Sequence, residues 1–102
     1  MFLIKIGNII FHRLNTYPAY AVNTNGDVIN INKAKILKPV KDSRGYLRVR
    51  LNGDRVLVSR LVANEFVPNP EGKQNVTYID GDRTNVNANN LKWADNSELQ
   101  RH

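Results

Sequence analysis

Side chains that can bind a cation or move a proton are concentrated in residues 76–102. Asp80, Asn90 and His102 supply a carboxylate, an amide and an imidazole, which are side-chain types that bind divalent metal ions in proteins. Tyr78 lies among them, but a phenol with a pKa near ~10 is a poor general base at neutral pH. His102 is the last residue, and we expect it to be exposed rather than bound to a metal ion.

The pattern around these residues predicts how they are positioned. It indicates a short β-hairpin, a polar loop closed by Asn89 and Asn90, a strand through Leu91 and Trp93, and a final helix that begins at Ser97. Leu91 and Trp93 are expected in the core. The loop and the strand would therefore hold Asn90 close to the hairpin.

The same residues resemble the ββα-metal core of the phage-associated HNH endonucleases. The family pattern V-N-H-I-D-G, followed by N-L-E-W, is matched here by Asp80-Gly81, Asn90-Leu91 and Trp93. The histidine that serves the family as general base corresponds to Tyr78, and the preceding residue, which helps to bind the metal ion, corresponds to Thr77. The resemblance implies a nuclease scaffold without its base.

The remaining site positions are altered as well. His102 falls where the family has its last histidine, but the S-E-N segment of the family is Ser97-Glu98-Leu99 here, so that one polar position is apolar. We therefore expect no catalytic role for the motif positions Tyr78, Asn90 and His102, and no bound metal ion. Mg²⁺ or Mn²⁺ would be a cofactor only if some nuclease activity remained.

Upstream fragments extend the resemblance in the right order. Residues 59–66 are predicted to form a helix with Ser59 as its N-cap, and Ser59 stands where the family usually has histidine. The matching fragments are Tyr20-Ala-Val22, Gly26-Asp-Val28, Leu37-Lys-Pro39, Gly45–Val49, Arg60–Ala63 and Pro68-Asn-Pro70. The resemblance thus covers roughly residues 17–102.

Length and composition are those of one soluble domain. The chain has 102 residues, of which 41% are hydrophobic and 24% charged. We predict a single α+β domain, 1–102, in which a small antiparallel β-sheet plus helix is followed by an HNH-like ββα core. Its parts are a basic β-rich segment, 17–58, and a degenerate HNH core, 59–102.

Two features of composition concern the location of the protein. There is no cysteine, which excludes disulfides and cysteine-bound zinc and is compatible with the cytoplasm. The opening sequence MFLIKIGNIIF is apolar but too short to span a membrane, and we expect one or two strands packed into the core. His12 follows it, and to replace the missing base it would have to lie against the strand of Tyr78.

Positive charge is concentrated in the first part of the chain. Residues 1–60 carry eleven Lys and Arg against three acidic residues, whereas residues 61–102 carry four against six. The segment Tyr46–Leu51 alternates, so its tyrosine and arginines share one face and its aliphatic residues the other. Arginines two apart on a strand stand about 7 Å from each other and can bind neighbouring phosphates. The predicted DNA-binding residues are Lys41, Arg44, Tyr46, Arg48, Arg50, Arg55, Arg83 and Lys92.

Several functions are compatible with this pattern. The first is a protein that binds DNA without cleaving it. The second is a phage-encoded inhibitor of a host nucleic-acid enzyme, such as an anti-CRISPR or anti-restriction protein, whose acidic second half would occupy a DNA-binding channel. The third is a weak, metal-dependent nicking endonuclease, and the simplest alternative is a basic surface that only keeps the protein soluble.

Overall fold

The computed structural model describes residues 3–95. The strands are β1 (Leu3–Ile6), β2 (Ile9–Arg13), β3 (Tyr20–Val22), β4 (Val28–Asn30), β5 (Lys35–Leu37), β6 (Val40–Lys41), β7 (Leu47–Leu51), β8 (Asp54–Leu57), β9 (Asn75–Tyr78) and β10 (Leu91–Ala94). The helix α1 (Val58–Phe66) follows β8, and a single 3-10 turn, Ala88–Asn90, precedes β10. The predicted α+β class is observed in this range.

The strands form three antiparallel groups. Strands β1 to β5 form one sheet in sequential order, β6 to β8 form a second sheet, and β9 pairs with β10. Helix α1 packs against β3, β7, β8, β9 and β10, so it joins all three groups. The largest fully buried apolar side chains lie in this helix or in the same core cluster, and they are Leu51, Val22, Val28, Val58 and Val62.

The Asn-Gly pair at residues 25–26 favours a tight turn, and a turn at residues 23–26 connects β3 to β4. Asn23 is buried, and its side-chain oxygen accepts hydrogen bonds from the backbone N–H groups of Asn25 at 3.0 Å and Asp27 at 2.9 Å. Its amide nitrogen donates to the Asp27 carboxylate at 3.0 Å. The polar groups of Asn23 are therefore satisfied, which is what allows this residue to be buried.

The alternation of the arginine-bearing strand is also confirmed. Val49 and Leu51 are buried in the core, whereas Arg50 between them is exposed. Strand β7 begins at Leu47, one residue later than the predicted Tyr46. One face of this sheet thus covers the core and the other carries the cationic side chains.

The predicted N-cap was wrong. Helix α1 begins at Val58, its N-cap residue is Leu57, and no side chain caps it. The helix begins earlier because Val58, which is fully buried, is already part of its apolar face. Ser59 consequently lies inside the first turn and is buried. No helix in residues 3–95 has the length and apolarity needed to cross a bilayer.

The N-terminal residues form the expected strands, and the expected packing into the core is observed only in part. Phe11 is buried in a small cluster with Ala21 and Ile29, against which Ile4 packs. Leu3, Ile6, Ile9 and Ile10 remain 58%, 43%, 45% and 50% exposed. Strand β1 is the outer edge of its sheet, and α1 reaches only β3 of that sheet among the strands against which it packs closely. The aliphatic pattern indicates strands. It does not indicate whether another element covers them, and α1 does not pack closely against β1 or β2.

The C-terminal pair also follows the sequence pattern. Leu91 pairs with Tyr78 and Trp93 pairs with Val76. The indole N–H of Trp93 donates to the carbonyl oxygen of Val67 at 3.0 Å, which ties β10 to the end of α1. The predicted final helix from Ser97 lies outside the described residues.

The β3–β4 turn is docked on the loop before β10. The backbone N–H of Ala88 donates to the carbonyl of Thr24 at 2.8 Å. Gly26 lies against Val86, and a Cβ atom built on Gly26 would stand 2.4 Å from a methyl carbon of that valine. The upstream segment and the predicted HNH core are thus in direct van der Waals contact.

This contact predicts an asymmetric effect of two glycine substitutions. Gly26 and Gly53 have the same backbone angle, φ +89°, but nothing lies within 4 Å of a Cβ on Gly53. Gly53→Ala should lower the free energy of unfolding by about 1–2 kcal/mol through backbone strain alone. Gly26→Ala should add a further loss of about 1–3 kcal/mol through overpacking. Urea unfolding measures both, and equal losses would contradict the docked turn.

Candidate nucleic-acid interface

A cleft with a volume of about 760 Å³ lies between the arginine-bearing face of the β6–β8 sheet and the β9 strand. Its lining includes five arginines, Arg44, Arg48, Arg55, Arg60 and Arg83, against one carboxylate, Asp42. The formal excess is four positive charges. We call this cleft, with these six charged residues and Tyr46, Ser59, Thr77 and Tyr78 in its wall, the arginine cleft.

Aromatic stacking connects the two sides of the arginine cleft. The guanidinium carbon of Arg83 stands 4.7 Å from the centre of the Tyr46 ring, and an N–H group of Arg83 donates to the carbonyl of Arg44. The Tyr46 ring is 5.9 Å from the Tyr78 ring, centre to centre. Arg83 therefore fixes the 42–46 turn against the loop that follows β9.

Arg48 is neutralised within the protein. Its Nε atom donates to the Asp42 carboxylate at 2.9 Å, and the same carboxylate accepts hydrogen bonds from the backbone N–H groups of Arg44 and Tyr46. The hydrogen bond from Arg48, together with these backbone N–H groups, lowers the pKa of Asp42 to about 2. Arg48 thus organises the turn more than it contributes free positive charge.

Arg50 and Arg55 are arranged in the opposite way. They are directly paired across β7 and β8, and no acidic residue within residues 3–95 is recorded in contact with either guanidinium. Like charges in directly opposed positions of an antiparallel pair are destabilising. The sheet therefore carries an uncompensated cationic pair at the edge of the arginine cleft.

Tyr78 and Ser59 are bonded to each other. The phenol O–H of Tyr78 donates to Ser59 Oγ at 2.8 Å. Burial is the main cause that raises the pKa of Tyr78 above its ordinary value of 10.0, with Tyr46 also raising it. The Tyr78 hydroxyl is consequently protonated at neutral pH.

Asn90 has a structural function in the loop between β9 and β10. Its side-chain oxygen accepts from the backbone N–H of Asp80 at 3.0 Å, and its amide nitrogen donates to the Asp80 carboxylate and to the carbonyl of Asn85, both at 2.9 Å. Hydrogen bonds, first from the Asn85 side chain and then from the backbone N–H of Asp82 and from Asn90, lower the pKa of Asp80. Asp80 therefore shapes this turn through its contacts with Asn85 and Asn90.

The structure brings together five of the eight residues predicted to bind DNA, namely Arg44, Tyr46, Arg48, Arg55 and Arg83. Arg50 lies beside them on the same sheet face. Lys41 pairs with Leu47 and so lies on the opposite face from Arg48, and Lys92 is exposed outside the arginine cleft. These two lysines were grouped with the arginines because the register of their strands cannot be obtained from the sequence.

The first turn of α1 contributes Ser59 and Arg60 to the cleft, and neither was among the predicted DNA-binding residues. Arg60 lines the cleft, donates to the carbonyl of Gln74 at 2.6 Å and stands 5.8 Å from the centre of the Trp93 ring. Ser59 reaches Tyr78 from the same turn of α1. The helix pattern in the sequence could have indicated both residues. The apolar residues that follow them define the buried face of α1, and Ser59 and Arg60 stand at the beginning of that helix.

The two histidines do not complete the site within the described residues. The His12 ring packs 4.4 Å from the Phe66 ring, centre to centre, at the end of α1. Tyr78 contacts Ser59 at the beginning of that helix, about 10 Å along its axis from Phe66 at 1.5 Å per residue. His12 is therefore not a replacement base for Tyr78, and His102 lies outside residues 3–95.

Comparisons with known proteins bear on the same segment. No family model matches the chain. It is 30% identical over 97 residues to an uncharacterized HNH endonuclease of Acanthamoeba polyphaga mimivirus, with 90% of this chain and 24% of that protein covered. A second uncharacterized HNH endonuclease of the same virus is 34% identical over 79 residues, which cover 74% of this chain and 24% of that protein.

A solved structure shares the fold. The HNH homing endonuclease I-HmuI, described for its DNA binding and cleavage, superposes with a TM-score of 0.77 and 30% sequence identity over 87% of this chain. The chain is HNH-like, because both its sequence and its fold resemble those of HNH endonucleases. This HNH-like chain spans about a quarter of the length of its viral relatives and 54% of the I-HmuI chain, so the likeness concerns one shared segment.

Three described side chains, those of Tyr78 at the family's base position and of Thr77 and Asn90 at its metal positions, are engaged in hydrogen bonds within the protein and as they stand do not fit a metal ion. The Asn90 oxygen and nitrogen are both used in the loop, and the Tyr78 hydroxyl donates to Ser59. The Thr77 hydroxyl donates to the carbonyl of Lys92 at 3.4 Å. Between residues 3 and 95 there is no group of three His, Asp or Glu side chains that could hold a metal ion.

The Asp42–Arg48 pair predicts a specific loss of stability in acid. Because the pKa of Asp42 is lowered from 3.8 to about 2, its contribution to stability is fully present above pH 3.8 and is lost as the pH falls toward 2. Asp42→Asn keeps the shape of the side chain but removes the charge. The melting temperature of the wild type should therefore be higher than that of the variant at neutral pH. The difference between the two melting temperatures should become smaller as the pH falls from 3.8 to 2. A difference that does not change with pH would contradict the ion pair.

Proposed function

We propose that this HNH-like chain binds DNA in the arginine cleft and does not hydrolyse it. The observation that carries the proposal is the hydrogen bond from Tyr78 to Ser59 inside a cleft lined by five arginines. It combines a surface suited to phosphates with a hydroxyl that cannot take a proton from water at neutral pH. The scaffold is then a degenerate HNH core that retains DNA contact.

The loss of cleavage is supported by the chemistry of the site. Hydrolysis of a phosphodiester requires a general base to deprotonate water and a cation or its equivalent to stabilise the leaving oxygen. At the base position, burial raises the pKa of Tyr78, so its hydroxyl remains a hydrogen-bond donor. At the asparagine position, Asn90 is committed to the loop.

The choice of DNA as the partner is supported by charge and by the comparison. The guanidinium groups of Arg50 and Arg55 repel each other, and a bound phosphate would remove this repulsion. Arg60 adds a further cation at the helix end of the cleft. I-HmuI, whose fold the chain shares, is a protein described as binding DNA.

A protein target is less well supported by the same contacts. An inhibitor that occupies a DNA-binding channel needs carboxylates directed outward. The carboxylate of Asp80 bonds to Asn90 and Asn85, and that of Asp82 bonds to the backbone and hydroxyl of Thr84. These two acidic side chains are thus directed to their own loop.

Removal of the repelling arginine pair tests DNA binding. Arg50→Gln with Arg55→Gln should weaken binding to duplex DNA and make the slope of log K against log salt shallower by roughly 1.8, because two phosphate contacts are lost. The double variant should also be at least as stable as wild type, since a like-charge pair is removed. Fluorescence anisotropy with labelled duplex measures the affinity.

The matched control replaces two cations outside the arginine cleft. Lys5→Gln with Lys73→Gln removes the same charge, and neither lysine lines the cleft. If both double variants lose the same amount of DNA affinity, the effect is one of net charge and not of the arginine cleft. Absence of binding to duplex or single-stranded DNA by the wild type at low salt would refute the proposal.

A further inference from the structure

A second cationic surface lies outside the arginine cleft. Residues 33–41 contain four lysines, Lys33, Lys35, Lys38 and Lys41, and no acidic residue. We call these nine residues the lysine segment. All four lysines are exposed, and no hydrogen bond or ion pair of their side chains is recorded within the described part of the chain. The four like charges therefore have no hydrogen-bonded or ion-paired partner among the described residues.

Protection of sheet edges does not require so many lysines. The lysine segment contains β5 and β6, which are the edge strands of the first and second sheets. Lysines at edges do discourage pairing with another chain. However, β5 has three residues and β6 has two, and Pro39 lies between them. Such short edges next to a proline are already poor templates for pairing, so the charge has no sufficient explanation within the fold.

The lysine segment is continuous with the arginine cleft. Val40 of β6 is directly paired with Arg48 of β7, and Arg48 lines the cleft. Paired residues of an antiparallel sheet stand about 4.5–5.5 Å apart. Val40 lies beside Lys41 and two residues after Lys38 in the chain, so a polyanion that leaves the cleft over β6 comes next to the lysine segment.

The dimensions match a second contact with the same DNA. Nine residues in extended form span at most about 30 Å. A duplex carries one negative charge per ~1.7 Å of its axis, so a segment of this length passes many phosphates. The longest dimension of the chain is 43 Å, so a cleft at one part of the surface leaves room for a separate contact along the same duplex.

We propose that the lysine segment is a second, sequence-independent contact for the phosphate backbone of the duplex that occupies the arginine cleft. This inference rests on the proposed DNA binding. The cleft would hold one part of the duplex, and the lysines would follow its backbone outward. Exposed lysines on flexible stems suit this role, because they bind phosphates as point charges without reading bases.

The test varies both the length of the DNA and the lysines. Duplex hairpins of about 8 and about 16 base pairs are roughly 27 and 54 Å long, so that only the second exceeds the 43 Å dimension of the protein. A longer duplex offers more positions at which one protein can bind, and this alone raises the apparent affinity. Wild type should bind the longer duplex more tightly than this statistical increase explains. Lys35→Gln with Lys38→Gln should remove this gain, reduce the salt slope on the long duplex by roughly 1.8, and leave binding to the short duplex almost unchanged.

The controls separate this inference from the proposed function. Lys5→Gln with Lys73→Gln removes two charges elsewhere and should keep the gain with length. If wild type binds DNA but the Lys35/Lys38 variant keeps both the gain and the slope, the lysine segment is not a DNA contact. If wild type binds no DNA, the proposed function itself fails. Binding to anionic phospholipid vesicles that depends on Lys35 and Lys38, without a gain from longer DNA, would overturn the assignment in favour of a lipid surface.

Discussion

The hydrogen bond between Tyr78 and Ser59 joins the two parts of the molecule on which the arginine cleft depends. Ser59 lies in the first turn of α1, directly after the β8 strand that carries Arg55. Tyr78 ends the β9 strand on the other side. Because the bond is 2.8 Å long and partly buried, it fixes the distance between the arginine-bearing sheet and the β9–β10 pair. The same bond joins two of the positions at which the resembling family carries histidine.

Some arginines of the cleft region are bonded within the protein, and others have no recorded acidic partner among the described residues and are free to bind a phosphate. Arg48 is held by Asp42, and Arg83 lies over Tyr46 while it bonds to the turn. These contacts order the 42–46 turn at the cleft entrance. Arg50 and Arg55, in contrast, face each other without a recorded acidic partner. The protein thus uses some cations to build the cleft and keeps others exposed, at a cost in stability that a bound polyanion would offset.

Local patterns in the sequence were sufficient to predict the strands and turns, but they did not predict the contacts between them. The alternation of Leu47 to Leu51 indicated which face of β7 is buried, and the Asn-Gly pair at residues 25–26 indicated the turn. Contacts between distant elements had no such signal. The bond between Ser59 and Tyr78 joins residues 19 positions apart and requires the β9–β10 pair to dock on α1. An isolated serine before an apolar run indicates an N-cap, and only the packing of Val58 shows that the helix begins earlier.

The same limit explains the other differences. An aliphatic run such as residues 3–10 indicates strands, but its burial depends on whether another element covers the sheet, and α1 does not extend that far. Lys41 was grouped with the arginines from its place in the sequence, whereas the pairing of Lys41 with Leu47 puts it on the other face. Register is set by tertiary packing and cannot be obtained from composition.

An HNH-like scaffold that holds DNA without cutting it should shift supercoiled plasmid and leave it intact. Supercoiled plasmid is incubated with saturating protein in Mg²⁺ and in Mn²⁺, and a mobility shift of the same sample shows that the DNA is bound. We expect a complete shift and, after removal of the protein, plasmid that is still supercoiled. Metal-dependent nicking by wild type that is lost in Tyr78→Phe, a variant that removes only the hydroxyl group, would contradict it.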